Sequence, residues 1–171
     1  MSATMIILRL LHILSGVFWG GALFFMARFL IPGVQASGPA GPTLMQQIIV
    51  VRKFPQVVGA AATLAILSGI GMYWRDNSIS GGSFARSRSG MMYGAGALFA
   101  LITYGVAIAM VAPTGDKITK LGAAIQASGG PPSPAQATEM GRLQGKIAFG
   151  TRLGATLMAL AVAGMAIARY V

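Results

Sequence analysis

His12 is the only histidine in 171 residues, and it sits in the apolar stretch LRLLHILSGVFWGG, residues 8 to 21. Arg9 precedes it by three positions; Gly16 follows by four, Trp19 by seven and Gly20 by eight. At about 100° per residue these positions fall near one face of a helix. An imidazole can carry a proton, donate a hydrogen bond or give a nitrogen lone pair to a metal. The small residues beside it leave space for a partner helix or a flat ligand. Placing a protonated ring in hydrocarbon is expensive, so a neutral ring with a hydrogen-bond partner is expected. An ionisable group inside a span is a functional candidate by default. The plainer reading is that His12 bonds a neighbouring helix and does nothing else. The sequence leaves both open.

Other chemistry finds few residues to carry it. The acids are Asp76, Asp116 and Glu139, none inside an apolar run and no two of them adjacent. That leaves no carboxylate pair for acid–base work and no acid within a span for a proton relay. Cysteine is absent, which removes disulfides and thiolate metal sites. No nucleophile triad, phosphate loop or metalloprotease motif is present. A secondary transporter fits poorly, because no repeat with matching broken helices is visible.

The elements that position these residues are set by the solvent. Only 9% of residues are charged and 55% are hydrophobic, and the mean hydropathy is +0.71. A hydrocarbon core of about 30 Å needs roughly 20 apolar residues in a helix. Four such runs occur, and we expect spans at 8–31, 55–74, 90–112 and 147–169. A soluble bundle would show a polar stripe at helical spacing; VVGAAATLAILSGIGMYW, residues 57–74, shows none. The expected architecture is a single all-α domain, an integral membrane four-helix bundle.

Connections and charge set the topology. Arg28, Arg52, Lys53, Lys117, Lys120, Arg142, Lys146 and Arg152 fall on one side, and Arg9, Arg75, Arg86, Arg88 and Arg169 on the other. Eight against five places the connections 32–54 and 113–146 in the cytoplasm and both termini outside. Scattered basic residues of this kind suit lipid headgroups, not nucleic acid. PGVQASGPAGP, residues 32–42, is expected to break the first helix, because proline and glycine cannot continue it, and 43–54 reads as a short amphipathic segment. Ser133-Pro134-Ala135-Gln136 matches a capping box, from which the fourth helix is expected to run unbroken into its span as a cytoplasmic extension. Residues 75–90 read as a flexible Gly/Ser-rich loop, with Tyr73 and Trp74 as interfacial anchors. Gly16 and Gly20, Gly141 and Gly145, and Gly150 and Gly154 are pairs four apart, spaced for close helix packing within the bundle or in a homodimer or larger membrane complex.

The first helix resembles that of the bacterial four-helix membrane protoporphyrinogen oxidase family, and more distantly copper-resistance D membrane proteins. The resemblance rests on Arg9, on Leu11-His12-Ile13, on Trp19, Gly21 and Arg28, and on the basic pair Arg52-Lys53. It implies a bacterial inner-membrane protein of about four helices with His12 as an axial ligand of haem b. Arg9 would then pair with a propionate, and Gly16 and Trp19 would border the ring. Bis-histidine ligation is impossible within one copy of the chain. Met72, Met91 and Met92 are expected near the depth of His12; His/Met sets suit haem iron and Cu(I) alike, while methionine also simply fills packing gaps. Three functions follow as expectations: a haem-associated redox or porphyrin-handling protein, a non-enzymatic membrane subunit or scaffold, and copper handling at the outer surface.

Overall fold

The computed structural model describes residues 2–38 and 40–171, which are almost entirely helical, with no strand among the described residues. We number the helices α1 (Ala3–Ala36), α2 (Ala40–Val51), α3 (Phe54–Ile79), α4 (Arg88–Ala127) and α5 (Pro134–Tyr170). Four of them, α1, α3, α4 and α5, are long and apolar enough to cross a membrane. Their outer faces carry exposed large apolar side chains, among them Ile7, Leu14, Val17, Phe29, Leu67 and Leu98.

The helices alternate in direction. α1 packs chiefly on α3 and α4 on α5; α1 also meets α5, and α3 meets α4. All four contribute to one buried cluster. Trp19 of α1 lies against Ala62 and Ala65 of α3 and Met158 and Ala161 of α5, with Phe99, Ala100 and Tyr104 of α4 closing it. One large indole facing three alanines lets the backbones approach while the ring fills the centre. Tyr104 meets Trp19 edge-on, with centroids 6.3 Å apart, and its hydroxyl shares a 2.9 Å hydrogen bond with Thr63 Oγ1.

Glycines mark where α4 and α5 come closest. Gly96 lies beneath Met165 and the Ala161 carbonyl, and Gly164 packs on the Gly96 backbone. A side-chain carbon at Gly150 would sit 2.6 Å from Met110 Cε and 3.0 Å from Val111 Cγ2; at Gly154 it would touch Thr103 and Leu23. The Gly150–Gly154 face is therefore occupied within the chain. Gly141 and Gly145 face open space, as does Gly16.

Two expectations are corrected. α1 does end within residues 32–42, but not at the proline: it runs past Pro32 and Gly33 to Ala36, beyond the expected end of the span at 31. A π-type turn at Met26–Leu30 precedes the proline, and the Ile31 N–H bonds the Met26 carbonyl. α4 repeats the device: a π-type turn at Ala107–Val111 precedes Pro113, and the Ala112 N–H bonds the Ala107 carbonyl. A widened turn gives the proline ring room that a regular turn denies it. Second, the segment after Trp74 is built, not slack. α3 runs on to Ile79, and a 3₁₀ turn at Phe84–Arg86 leads into α4. Tyr73 turns inward to donate to the Gly90 carbonyl and pack on Phe84, whereas Trp74 stays exposed.

The capping box opening α5 forms as expected. Ser133 Oγ accepts from the Gln136 N–H, and Gln136 Oε1 accepts from the Ser133 N–H. Residues 113–127 of α4 and 134–146 of α5 extend about 20 Å past the expected spans. They pack on one another, with Leu143 buried, and Ile147, the first residue of the expected span, lies against Gly115 at the base of the hairpin. On this hairpin Arg142 donates two 2.7 Å hydrogen bonds to Glu139. Those bonds hold the Glu139 carboxyl below its ordinary range and raise the Arg142 guanidinium.

Candidate functional site

His12 projects from α1 onto α3. Its Nδ1 lies 2.7 Å from the Ala65 carbonyl oxygen. A carbonyl only accepts, so Nδ1 is the donor, and in the neutral ring Nε2 keeps its lone pair. The Ala65 carbonyl also accepts a 3.1 Å bond from Ser68 Oγ. Gly69 lies directly under the ring: a side-chain carbon there would stand 2.8 Å from His12 Cε1 and 3.0 Å from Nδ1. The imidazole is thus fixed by one hydrogen bond and seated on a glycine. Such Nδ1–H donation to a main-chain carbonyl is how proteins orient histidines whose other nitrogen meets a metal. It is equally a plain interhelical bond, worth about 0.6 kcal/mol inside a membrane.

The surroundings separate into distinct places. Gly16, one turn beyond His12, is half-buried, yet a side-chain carbon there would meet nothing within 4 Å. The helix surface at Gly16 is therefore open. Trp19 is only 3% exposed and belongs to the central cluster. Arg9 is exposed, nearly two turns into α1. Met72 sits on the α3 turn after Gly69. Met91 and Met92 line a separate apolar groove with Arg88, Ala95 and Val171. Among the described residues no group of three or more His, Cys, Asp or Glu side chains is placed to hold a metal.

The donor set offered here is therefore a single oriented imidazole with open space one turn away. The chemistry of that nitrogen suits one axial position of a haem. The partner of His12 escaped sequence reasoning because it is a main-chain carbonyl, which no residue type announces. Gly69 was the available signal, a small residue at the height of a buried ring on the facing helix. A further grouping also went unseen. Arg28 and Arg152, far apart in sequence, line one groove between α1 and α5.

Comparison with protein families, with curated proteins and with solved structures finds no match to this chain. What the fold itself defines is a helical protein with four helices of membrane-crossing length and apolarity.

Proposed function

We propose that the chain is an integral membrane four-helix bundle of the bacterial inner membrane, with both termini outside, and that His12 serves as an axial ligand of haem b in a redox or porphyrin-handling role. The membrane reading is supported by the apolar outer faces of all four long helices. In water these faces would be an aggregation surface; in lipid they need no cover. The charge asymmetry between the two ends supports the orientation.

The observation that carries the haem reading is the 2.7 Å bond from His12 Nδ1 to Ala65, which leaves Nε2 as the free nitrogen of a fixed ring. Haem, when bound, would supply the electron-transfer or porphyrin chemistry; the chain supplies the oriented nitrogen and the space at Gly16. The test is an absorption spectrum, oxidised and reduced, of protein purified after haem-supplemented expression. A Soret band is expected, and His12→Ala is expected to abolish it. Colourless wild-type protein, or a band indifferent to His12→Ala, overturns the reading.

A second reading is a non-enzymatic membrane scaffold, favoured by the α4–α5 hairpin that continues well past the other helices. It predicts co-purification of another membrane protein, unaffected by His12→Ala and lost when residues 116–143 are replaced by a short linker.

A further inference from the structure

The groove between α1 and α5 plays no part in the chemistry proposed for His12. α1 lines it with Phe24, Ala27 and Arg28, and α5 with Arg152, Ala155 and Thr156; each triad has i, i+3, i+4 spacing and so forms one helix face. The two helices are antiparallel, since Gly20 faces Met158 and Leu23 faces Gly154. Arg28 closes its triad at the same end at which Arg152 opens the other. Both guanidinium groups therefore stand at one mouth, while Phe24, Ala155 and Thr156 line the deeper part. The groove is open, with a volume of about 340 Å³.

The depth of that mouth follows from charge spacing. Arg9 and Arg28 are nineteen residues apart on α1, Lys53 and Arg75 twenty-two apart across α3, and Arg152 and Arg169 seventeen apart on α5. At 1.5 Å per residue these intervals are about 28, 33 and 25 Å, each close to the thickness of a hydrocarbon core. Arg28 and Arg152 thus stand at headgroup level on the cytoplasmic side. Neither has a carboxylate partner: among the described residues the ion pairs are Arg75 with Asp76 and Arg142 with Glu139. Two arginines converging without a counter-charge, above an apolar wall, are matched by a phosphodiester with an acyl chain below it.

We propose that this groove binds an anionic phospholipid, its phosphate held by Arg28 and Arg152 and an acyl chain lying along Phe24 and Ala155. The site rests on the membrane placement of the chain and is independent of His12.

The test is native mass spectrometry of the full chain in detergent, titrated with phosphatidylglycerol, phosphatidylcholine or inorganic phosphate. Wild type is expected to retain phosphatidylglycerol in preference to phosphatidylcholine. One basic residue at an anionic surface corresponds to about five-fold in affinity, so Arg28→Gln or Arg152→Gln alone should weaken retention about five-fold and the pair on the order of thirty-fold. A Lys117→Gln/Lys120→Gln variant makes the same charge change on the hairpin and should retain lipid like wild type. Both arginines are exposed, so the fold is not at stake.

The site is overturned if the double Arg variant stays within about two-fold of wild type, or if the lysine variant loses as much. Equal binding of phosphatidylcholine overturns it too, as does displacement of the lipid by inorganic phosphate, which would mark a free-anion site. A chain that fractionates with soluble proteins removes the membrane reading itself; a membrane-bound chain that fails the titration removes the groove alone.

Discussion

Adding one methyl group under the His12 ring is the sharpest probe of how α1 and α3 are joined. In Gly69→Ala the new carbon falls 2.8 Å from Cε1 and 3.0 Å from Nδ1, so either the ring or a helix must move. Overpacking of this kind costs roughly 1–3 kcal/mol, and displacing the ring also loses the bond to Ala65, about 0.6 kcal/mol in a membrane setting. Against this, alanine gains about 0.8–1 kcal/mol over glycine in a helix interior. The net expectation for Gly69→Ala is a destabilisation of about 1–2.5 kcal/mol. Removing the imidazole first should reverse the sign. In a His12→Ala background the clash is gone, and Gly69→Ala should stabilise by about 1 kcal/mol. The coupling between the two positions is then about 2–3.5 kcal/mol, measurable by a double-mutant cycle of unfolding in mixed micelles followed by circular dichroism. A coupling below about 0.5 kcal/mol would show that His12 is not seated on Gly69, and the orientation of its free nitrogen would fall with it.

Gly150→Leu should disrupt α4–α5 packing, because Met110 and Val111 occupy the space that side chain needs; a loss above about 2 kcal/mol is expected in the same unfolding assay, whereas Gly145→Leu, facing open space inside a helix, should stabilise by up to about 0.8 kcal/mol. Ser133→Ala removes one arm of the capping box and should cost about 1 kcal/mol locally, read as faster hydrogen exchange over the first two turns of α5 with the spans unchanged. The Glu139–Arg142 pair sets a pH dependence. The carboxyl is held below its ordinary range, so its contribution is present above that range and disappears as pH falls through the lowered value. Exchange protection at the hairpin should therefore weaken slightly in acid, and Glu139→Gln should flatten the profile; an unchanged profile in the variant would assign the effect elsewhere.

Hydropathy made the four long helices legible because each is set by a run of apolar residues and needs no tertiary information. The capping box at Ser133 was legible for the same reason, being a contact within four residues. Pro32 misled because a proline forbids a regular turn but not a widened one, and the choice depends on what packs around the helix. The Gly150–Gly154 spacing signalled close approach correctly, yet spacing cannot say whether the approaching helix belongs to the same chain. At the site, the sequence singled out His12 and set Trp19 on the same face of the helix, as packing or as a ligand neighbour. The fold adds what Trp19 packs on, three alanines from two other helices, one of them Ala65, whose carbonyl also meets His12. Arg28 entered the sequence reading only as a charge for topology and as part of the resemblance; the groove it shares with Arg152 was not legible, because Arg152 comes from a helix more than a hundred positions away.

The tip of the α4–α5 hairpin offers a practical handle. Residues 128–135 are all exposed, and the turn is made by Gly129 with a positive φ of 67°, so extra chain can enter there without disturbing packed side chains. A rigid soluble domain grafted between Gly130 and Pro131 would be carried on two mutually braced helices, about 20 Å beyond the expected spans. That stalk would serve as an alignment marker for single-particle imaging of a protein otherwise too small and too featureless to orient.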